Sequence, residues 1–273
     1  MLNIEKPNST NPKQRNPSMI FQDKFMELNE KQICYYIMIS FDDPSLPIFL
    51  YKKTEDSNCN EEKWEIYRKI INPNNQYCAT MNFFYNEVNK KTLLYFGFSS
   101  SNIGIYDLKA DKFEKTELET KARVTSLNFL FRKKHSTSSI FYFFIFFLTH
   151  FKGEGFLIYS DDSNTLIIAN IETNKIVRKI ALNNVSSILD CIIWNSFHNN
   201  SEPIYLIMAT ENSNSIQILN FDDLNVLFIK NFKKPPYNLL KVLKKKTGEK
   251  DKECLSCFLE NADMSKIMIY ERK

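Results

Sequence analysis

The side chains of this sequence with chemical potential are a CxxC, three Asp-Asp pairs, three histidines and two basic stretches. Cys254 and Cys257 form the CxxC. A zinc site needs two more ligands at matching spacing, and a redox pair ordinarily opens a helix. This pair lies in CLSCFL, an apolar run that reads as a strand, so two ordinary buried thiols are expected. The acid pairs are Asp42-Asp43, Asp161-Asp162 and Asp222-Asp223. Each lies between apolar stretches, where an Asp forms a turn by bonding its own backbone. Calcium binding or acid–base chemistry would need a convergent cleft that these spacings do not supply. His135, His150 and His198 have no His or Cys at ligand spacing, and five glycines leave no loop to cradle a phosphate. No catalytic residue, metal ligand or cofactor site is expected, and the chain reads as a non-enzyme.

The basic stretches are the remaining candidates. Lys233 and Lys234 open KKPPYNLLKVLKKKTGEKDKE, which continues to Lys244, Lys245 and Lys246. A smaller cluster runs from Arg132 through Lys133 and Lys134 to His135. Lys233, Lys234 and Lys244–Lys246 form a candidate contact surface for RNA, acidic protein or anionic lipid. The net charge is only +4, with 36 basic and 32 acidic side chains mixed along the chain, unlike the concentrated basic face of a dedicated nucleic-acid binder. Aromatic residues are too sparse in either cluster to stack bases.

The elements that carry these residues are strands. Phe (23) and Tyr (13) are abundant, which favours sheet over helix. An apolar strand, a turn of Asp, Asn or Ser and a second apolar strand recur in five segments: 34–53, 93–118, 155–180, 204–229 and 254–273. The second strands begin near residues 48, 103, 166, 216 and 267, about fifty to sixty apart. Each unit has room for a further apolar strand before the hairpin, such as CATMNFFY or VTSLNFLF, and an alternating one after it, such as KIVRKIAL or VLFIKNF. Continuous apolar runs suit strands buried on both faces, and alternation suits strands with one wet face. The turns SSSN, DDSN, ENSN and NADMS supply the Asn and Asp that tolerate positive φ.

Four strands repeated every fifty residues fit an all-β propeller of four-stranded blades, which buries both faces of each sheet and protects its edges. The pattern over residues 30–273 resembles the WD-repeat family. The third strand of each blade in that family ends in Trp-Asp, and the matching pairs are Tyr51-Lys52, Tyr106-Asp107, Ala169-Asn170, Leu219-Asn220 and Tyr270-Glu271. Tyr106-Asp107 is the nearest to the signature, and the family's Gly-His pair is absent. About five WD-like units are recognisable. Five blades and an incomplete or diverged seven-bladed ring both remain open. The family often closes its ring with an N-terminal strand, for which Ser18–Leu28 is the candidate.

The domain expected is 18–273, preceded by a disordered tail over 1–17 and interrupted by an apolar insertion around 132–153. The insertion holds IFYFFIFFL at 140–148. Nine helical residues reach only ~14 Å, against a hydrocarbon core of ~30 Å, so no membrane span is expected. An extra buried strand, an inserted or membrane-touching loop and a spurious insertion all fit it. The six cysteines are scattered and the start, MLNIEKPNSTNPKQRNPS, is polar, which suits reduced thiols in the cytoplasm or nucleus. The resemblance implies a protein–protein interaction scaffold within a larger complex. The alternative is an RNA-associated assembly or processing factor using a basic loop around 233–252. A propeller enzyme is the third.

Overall fold

The computed structural model describes residues 17–27, 32–41, 43–54, 64–86, 91–133, 153–182, 187–194, 204–211, 213–244, 252–259 and 267–271. His135, His150, His198, Asp42, Lys134, Lys245, Lys246 and the apolar run 140–148 lie outside them. Nineteen strands are described, with one short 3-10 turn at Pro73–Asn75.

The repeat predicted from spacing becomes five antiparallel meanders. The first is β1 (Pro17–Glu27), β2 (Gln32–Phe41), β3 (Ile48–Thr54) and β4 (Glu65–Ile70). The second is β5 (Cys78–Asn86), β6 (Lys91–Phe98), β7 (Ile103–Asp107) and β8 (Lys112–Glu114). The third is β9 (Val124–Lys133), β10 (Gly153–Asp161), β11 (Thr165–Asn170) and β12 (Lys175–Ala181). The fourth is β13 (Ile188–Trp194), β14 (Tyr205–Thr210), β15 (Ser215–Asn220) and β16 (Val226–Asn231). The fifth has three strands, β17 (Pro236–Lys244), β18 (Lys252–Leu259) and β19 (Ile267–Glu271).

The first strands of successive sheets pack against one another, which makes them the innermost strands of radial blades. The fold is a β-propeller. Apolar cores fill the spaces between blades: Met38, Leu50, Leu94 and Phe96 between the first two, Tyr95, Ile105, Leu127 and Tyr159 between the next two, and Ile158, Leu206 and Met208 between the third and fourth. The second strands are therefore buried on both faces, as in β6 and β14, and they read as continuous apolar runs. Among the described residues no comparable packing joins the fifth blade to the first.

Ser18–Leu28 does not complete the last blade. β1 pairs along its length with β2, from Met19 opposite Ser40 to Glu27 opposite Gln32. A hairpin across four residues costs little chain entropy, whereas pairing with the far end of the chain closes a loop of some 240 residues. Arg132 and Lys133, placed at the start of the insertion by the sequence, belong to β9 and pair with Glu154 and Gly153.

Two features fix the blades to each other. The innermost strands repeat an apolar–Asx–apolar triplet, Met81-Asn82-Phe83, Leu127-Asn128-Phe129 and Leu189-Asp190-Cys191. Asn82 donates to the Leu127 carbonyl at 3.0 Å and Asn128 donates to the Cys191 carbonyl at 2.6 Å. Asp190 accepts the Leu239 N–H at 2.7 Å. The second, third and fourth blades thus each hold the next through one polar side chain.

The second feature is a close approach at Gly97 in β6. A Cβ there would lie 2.6 Å from both the Val124 Cγ1 and the Thr80 Cγ2. Gly97→Ala is expected to lower stability by about 2 kcal/mol through overpacking. A urea midpoint unchanged from wild type would show that the third blade is not seated against β6 in this way.

Candidate functional site

The third-strand pairs that resemble the WD signature turn out to build one recurrent corner. Asp107 Oδ1 accepts the N–H groups of Lys109 and Ala110, both at 2.9 Å. Asn170 Oδ1 accepts those of Glu172 and Thr173 at 3.0 Å, and Asn220 Oδ1 accepts that of Asp222 at 2.9 Å. The next residue is buried in each case, as Leu108, Ile171 and Phe221. The fourth residue after the Asx is left-handed, at Asp111 (φ 56°), Asn174 (φ 52°) and Leu224 (φ 61°). These Asx residues are spent on turn geometry.

The other chemistry-bearing groups are spent in similar ways. Asp161 is fully buried; its Oδ1 accepts the N–H groups of Ser163 and Thr165 and the Ser163 hydroxyl, while Oδ2 accepts the Lys121 N–H at 3.3 Å. Asp43 accepts the Ser45 N–H, and Asp223 accepts from Asn225. Burial pushes the Cys78 thiol up to about 12 and raises the Cys191 thiol further, so neither is a nucleophile at neutral pH. Cys254 and Cys257 lie in β18, in the strand the sequence predicts. Among the described residues no three His, Cys, Asp or Glu side chains converge on a metal position. No helix among them is long and apolar enough to cross a membrane.

The candidate basic surface is divided. Lys233 and Lys234 are exposed in the connection between β16 and β17. Lys244 ends β17, opposite Lys252. Eight residue steps of extended strand separate the two ends of β17 by roughly 26 Å. Lys245 and Lys246 lie outside the described residues.

A site that the sequence reading missed sits on the second blade. The β7–β8 hairpin frames a groove of about 710 Å³ lined by Lys91, Asp107, Lys109, Lys112, Phe113 and Lys115, with Glu114 beside them. Its floor is a charge triad: Lys91 Nζ lies 3.0 Å from Asp107 Oδ2 and 2.9 Å from Glu114 Oε1. Bonds from Glu114 and then Asp107 raise the Lys91 pKa. Burial works to raise the Asp107 carboxyl, but the Ala110 N–H, Lys91 and the Lys109 N–H outweigh it and hold it below the usual range. Lys91 offsets one of the two negative charges, and the exposed Lys109, Lys112 and Lys115 on the rim leave the groove with a positive balance. Phe113 packs on Tyr106 at 5.2 Å and on Phe96 at 6.0 Å. Gly104 leaves room for it: a Cβ there would meet Phe98 at 2.6 Å and Phe113 at 3.1 Å. The arrangement can hold an anionic group beside an aromatic ring. It lacks a nucleophile or a free base. Its signal in the sequence is a lysine every third residue from 109 to 115, which reads as an ordinary solvated hairpin.

Solved structures with the same architecture are known. Sqt1 of Saccharomyces cerevisiae superposes with a TM-score of 0.55 at 10% identity, over 94% of this chain and 59% of that one. A chain of Chaetomium thermophilum Polycomb Repressive Complex 2 bound to GSK126 gives 0.56 at 10% identity, over 94% and 58%. The fold is that of WD-repeat propellers. This chain spans about three fifths of the length of the chains it matches. No protein-family model matches the sequence, and no curated protein matches it either.

Proposed function

We propose that this chain is a non-catalytic protein-binding scaffold, working in the cytoplasm or nucleus, that takes an acidic segment of a partner protein in the groove of the second blade. The observation that carries this reading is the lysine rim of Lys109, Lys112 and Lys115 around Phe113. A rigid core with divergent surface loops is the ordinary basis of such binding. One of the solved chains it resembles belongs to a multiprotein complex, which agrees with this reading at the level of fold.

The test is affinity capture of the full chain from its native cells, with and without nuclease. The reading expects captured proteins that release with salt and are lost from the K109E/K112E/K115E variant by about tenfold or more, as removal of several rim charges implies. Capture that nuclease abolishes would instead favour the RNA reading. Capture insensitive to the triple reversal removes the groove from consideration.

A further inference from the structure

The chain that leaves the groove of the second blade carries a second chemical feature. Past β8, residues 115–118 have no regular structure, and Thr116 stands half-buried directly after the rim residue Lys115. Its Oγ1 accepts the Leu118 N–H at 3.1 Å, and among the described residues its own hydroxyl proton has no acceptor. Glu117 and Glu119, one and three residues beyond Thr116, are exposed on either side of buried Leu118. Leu118 is anchored by that burial and by accepting the Ile103 N–H, so the two acids stand on a fixed segment. A hydroxyl followed by exposed acids at the first and third positions is the charge pattern that acid-directed protein kinases read. Ser40 and Ser187 also have an acid three residues on, Asp43 and Asp190, but both serines are buried. Among the described residues, Thr116 alone joins this pattern to access.

We propose that Thr116 is a phosphorylation site for an acid-directed protein kinase, and that its phosphate closes the groove of the second blade to acidic partners. In the transfer the Thr116 oxygen bonds the γ-phosphorus of ATP, the bond from that phosphorus to the bridging oxygen of ADP breaks, and the hydroxyl proton passes to the kinase's base. The groove is lined by four lysines against two acids, an excess of two positive charges. A phosphothreonine carries about −1.5 to −2 charges at neutral pH. Its Cα stands ~3.8 Å from that of Lys115, well inside a screening length of ~8 Å. The phosphate therefore cancels the excess that attracts an acidic segment and competes with that segment for Lys115. The consequence for binding rests on the reading already given for the groove, whereas the modification itself does not.

The test treats the full chain with ATP and a purified acid-directed kinase of the casein kinase II type, with circular dichroism of each variant to verify the fold. Mass spectrometry is expected to place a phosphate on Thr116, to find none at that position in Thr116→Ala, and to find it again in Thr116→Ser. Incorporation in E117Q/E119Q is expected to be at least about tenfold slower, because the charges that the kinase reads are gone. A fluorescein-labelled oligoglutamate peptide then reads the groove by anisotropy. Phosphorylated wild type is expected to bind it about tenfold or more weakly than the unmodified chain, and kinase-treated Thr116→Ala to bind as unmodified wild type does. A folded chain that takes no phosphate at Thr116 overturns the proposal, and so does a chain that binds the peptide equally before and after phosphorylation. An unmodified chain that binds the peptide no better than K109E/K112E/K115E overturns the groove reading instead, and phosphate on Thr116 in that chain still supports the modification site.

Discussion

Asp161→Ala is expected to lower the stability of the chain by about 4 kcal/mol, the largest single effect among the described residues. A buried carboxylate bonded to several donors leaves those donors unsatisfied when it is removed, at ~1–3 kcal/mol each and with incomplete additivity. Asp161 holds both ends of one construction. Its Oδ1 closes the β10–β11 turn through Ser163 and Thr165, and its Oδ2 holds the Lys121 N–H in the chain entering β9. Without it, the turn and the entry to the third blade lose their common anchor. Asp161→Asn keeps an oxygen for the turn but offers an N–H group to Lys121, and is expected to cost about half as much. Urea midpoints of the two variants check this. Equal losses would place the whole effect in the turn.

The second large effect is a pH dependence at Asp190. Burial pushes its carboxyl up to about 7, and the N–H groups of Leu239 and Cys191 counter this only in part. In the unfolded chain an Asp titrates near ~3.9. Between these two values the folded chain holds a proton that the unfolded chain has released. Stability therefore falls as the pH rises from about 4 to about 7, by up to about 4 kcal/mol, and is fully retained below that window. The slope is opposite to that of an ordinary ion-paired aspartate. Asp190→Asn cannot titrate, so its stability should be flat across the same range, though lower at pH 4 because an amide accepts fewer of the two backbone bonds. Unfolding free energy measured at intervals from pH 4 to pH 7 decides the matter, and a variant that keeps the wild-type slope sinks the assignment. The strand contacts at risk are those between the fourth and fifth blades, where Asp190 meets Leu239.

The Asx that ends the third strand of the second, third and fourth blades stands where the WD signature would, with Tyr106-Asp107 the nearest to it, whereas the first blade has Lys52 and the fifth Glu271. In the folded chain Asn170 makes the same two turn bonds as Asp107 and Asn220 makes the first of them, because a side-chain carbonyl oxygen accepts an N–H as a carboxylate oxygen does. The chemistry survived where the letters changed. The expected left-handed turn residues are also present, as Asn164 and Asn214, but in the second blade the position is Ser101 rather than the neighbouring Asn102. In the corner between third and fourth strands, where Asp111 and Asn174 are left-handed in the second and third blades, the fourth blade has Leu224, which no propensity argument would select.

The sequence by itself determined the four-strand unit, its period and which strands are buried on both faces. Those properties are local: alternation, apolar run length and turn chemistry act over a few residues and leave a direct imprint on the chain. Three matters were decided only by the tertiary structure. Ser18–Leu28 is by pattern the candidate to close the last blade, and the low entropy cost of a local hairpin places β1 in the first. The lysines at 233–234 and 244 are near in sequence but stand at opposite ends of an extended strand. The groove around Phe113 and the bare edge of β16 depend on what neighbouring blades do and do not cover. VLFIKNF and KIVRKIAL look alike as alternating outer strands. Their charges differ in the sequence, but that Val226, Leu227, Phe228 and Ile229 all stand about half exposed is decided by packing, because exposure belongs to a residue's surroundings and not to its type.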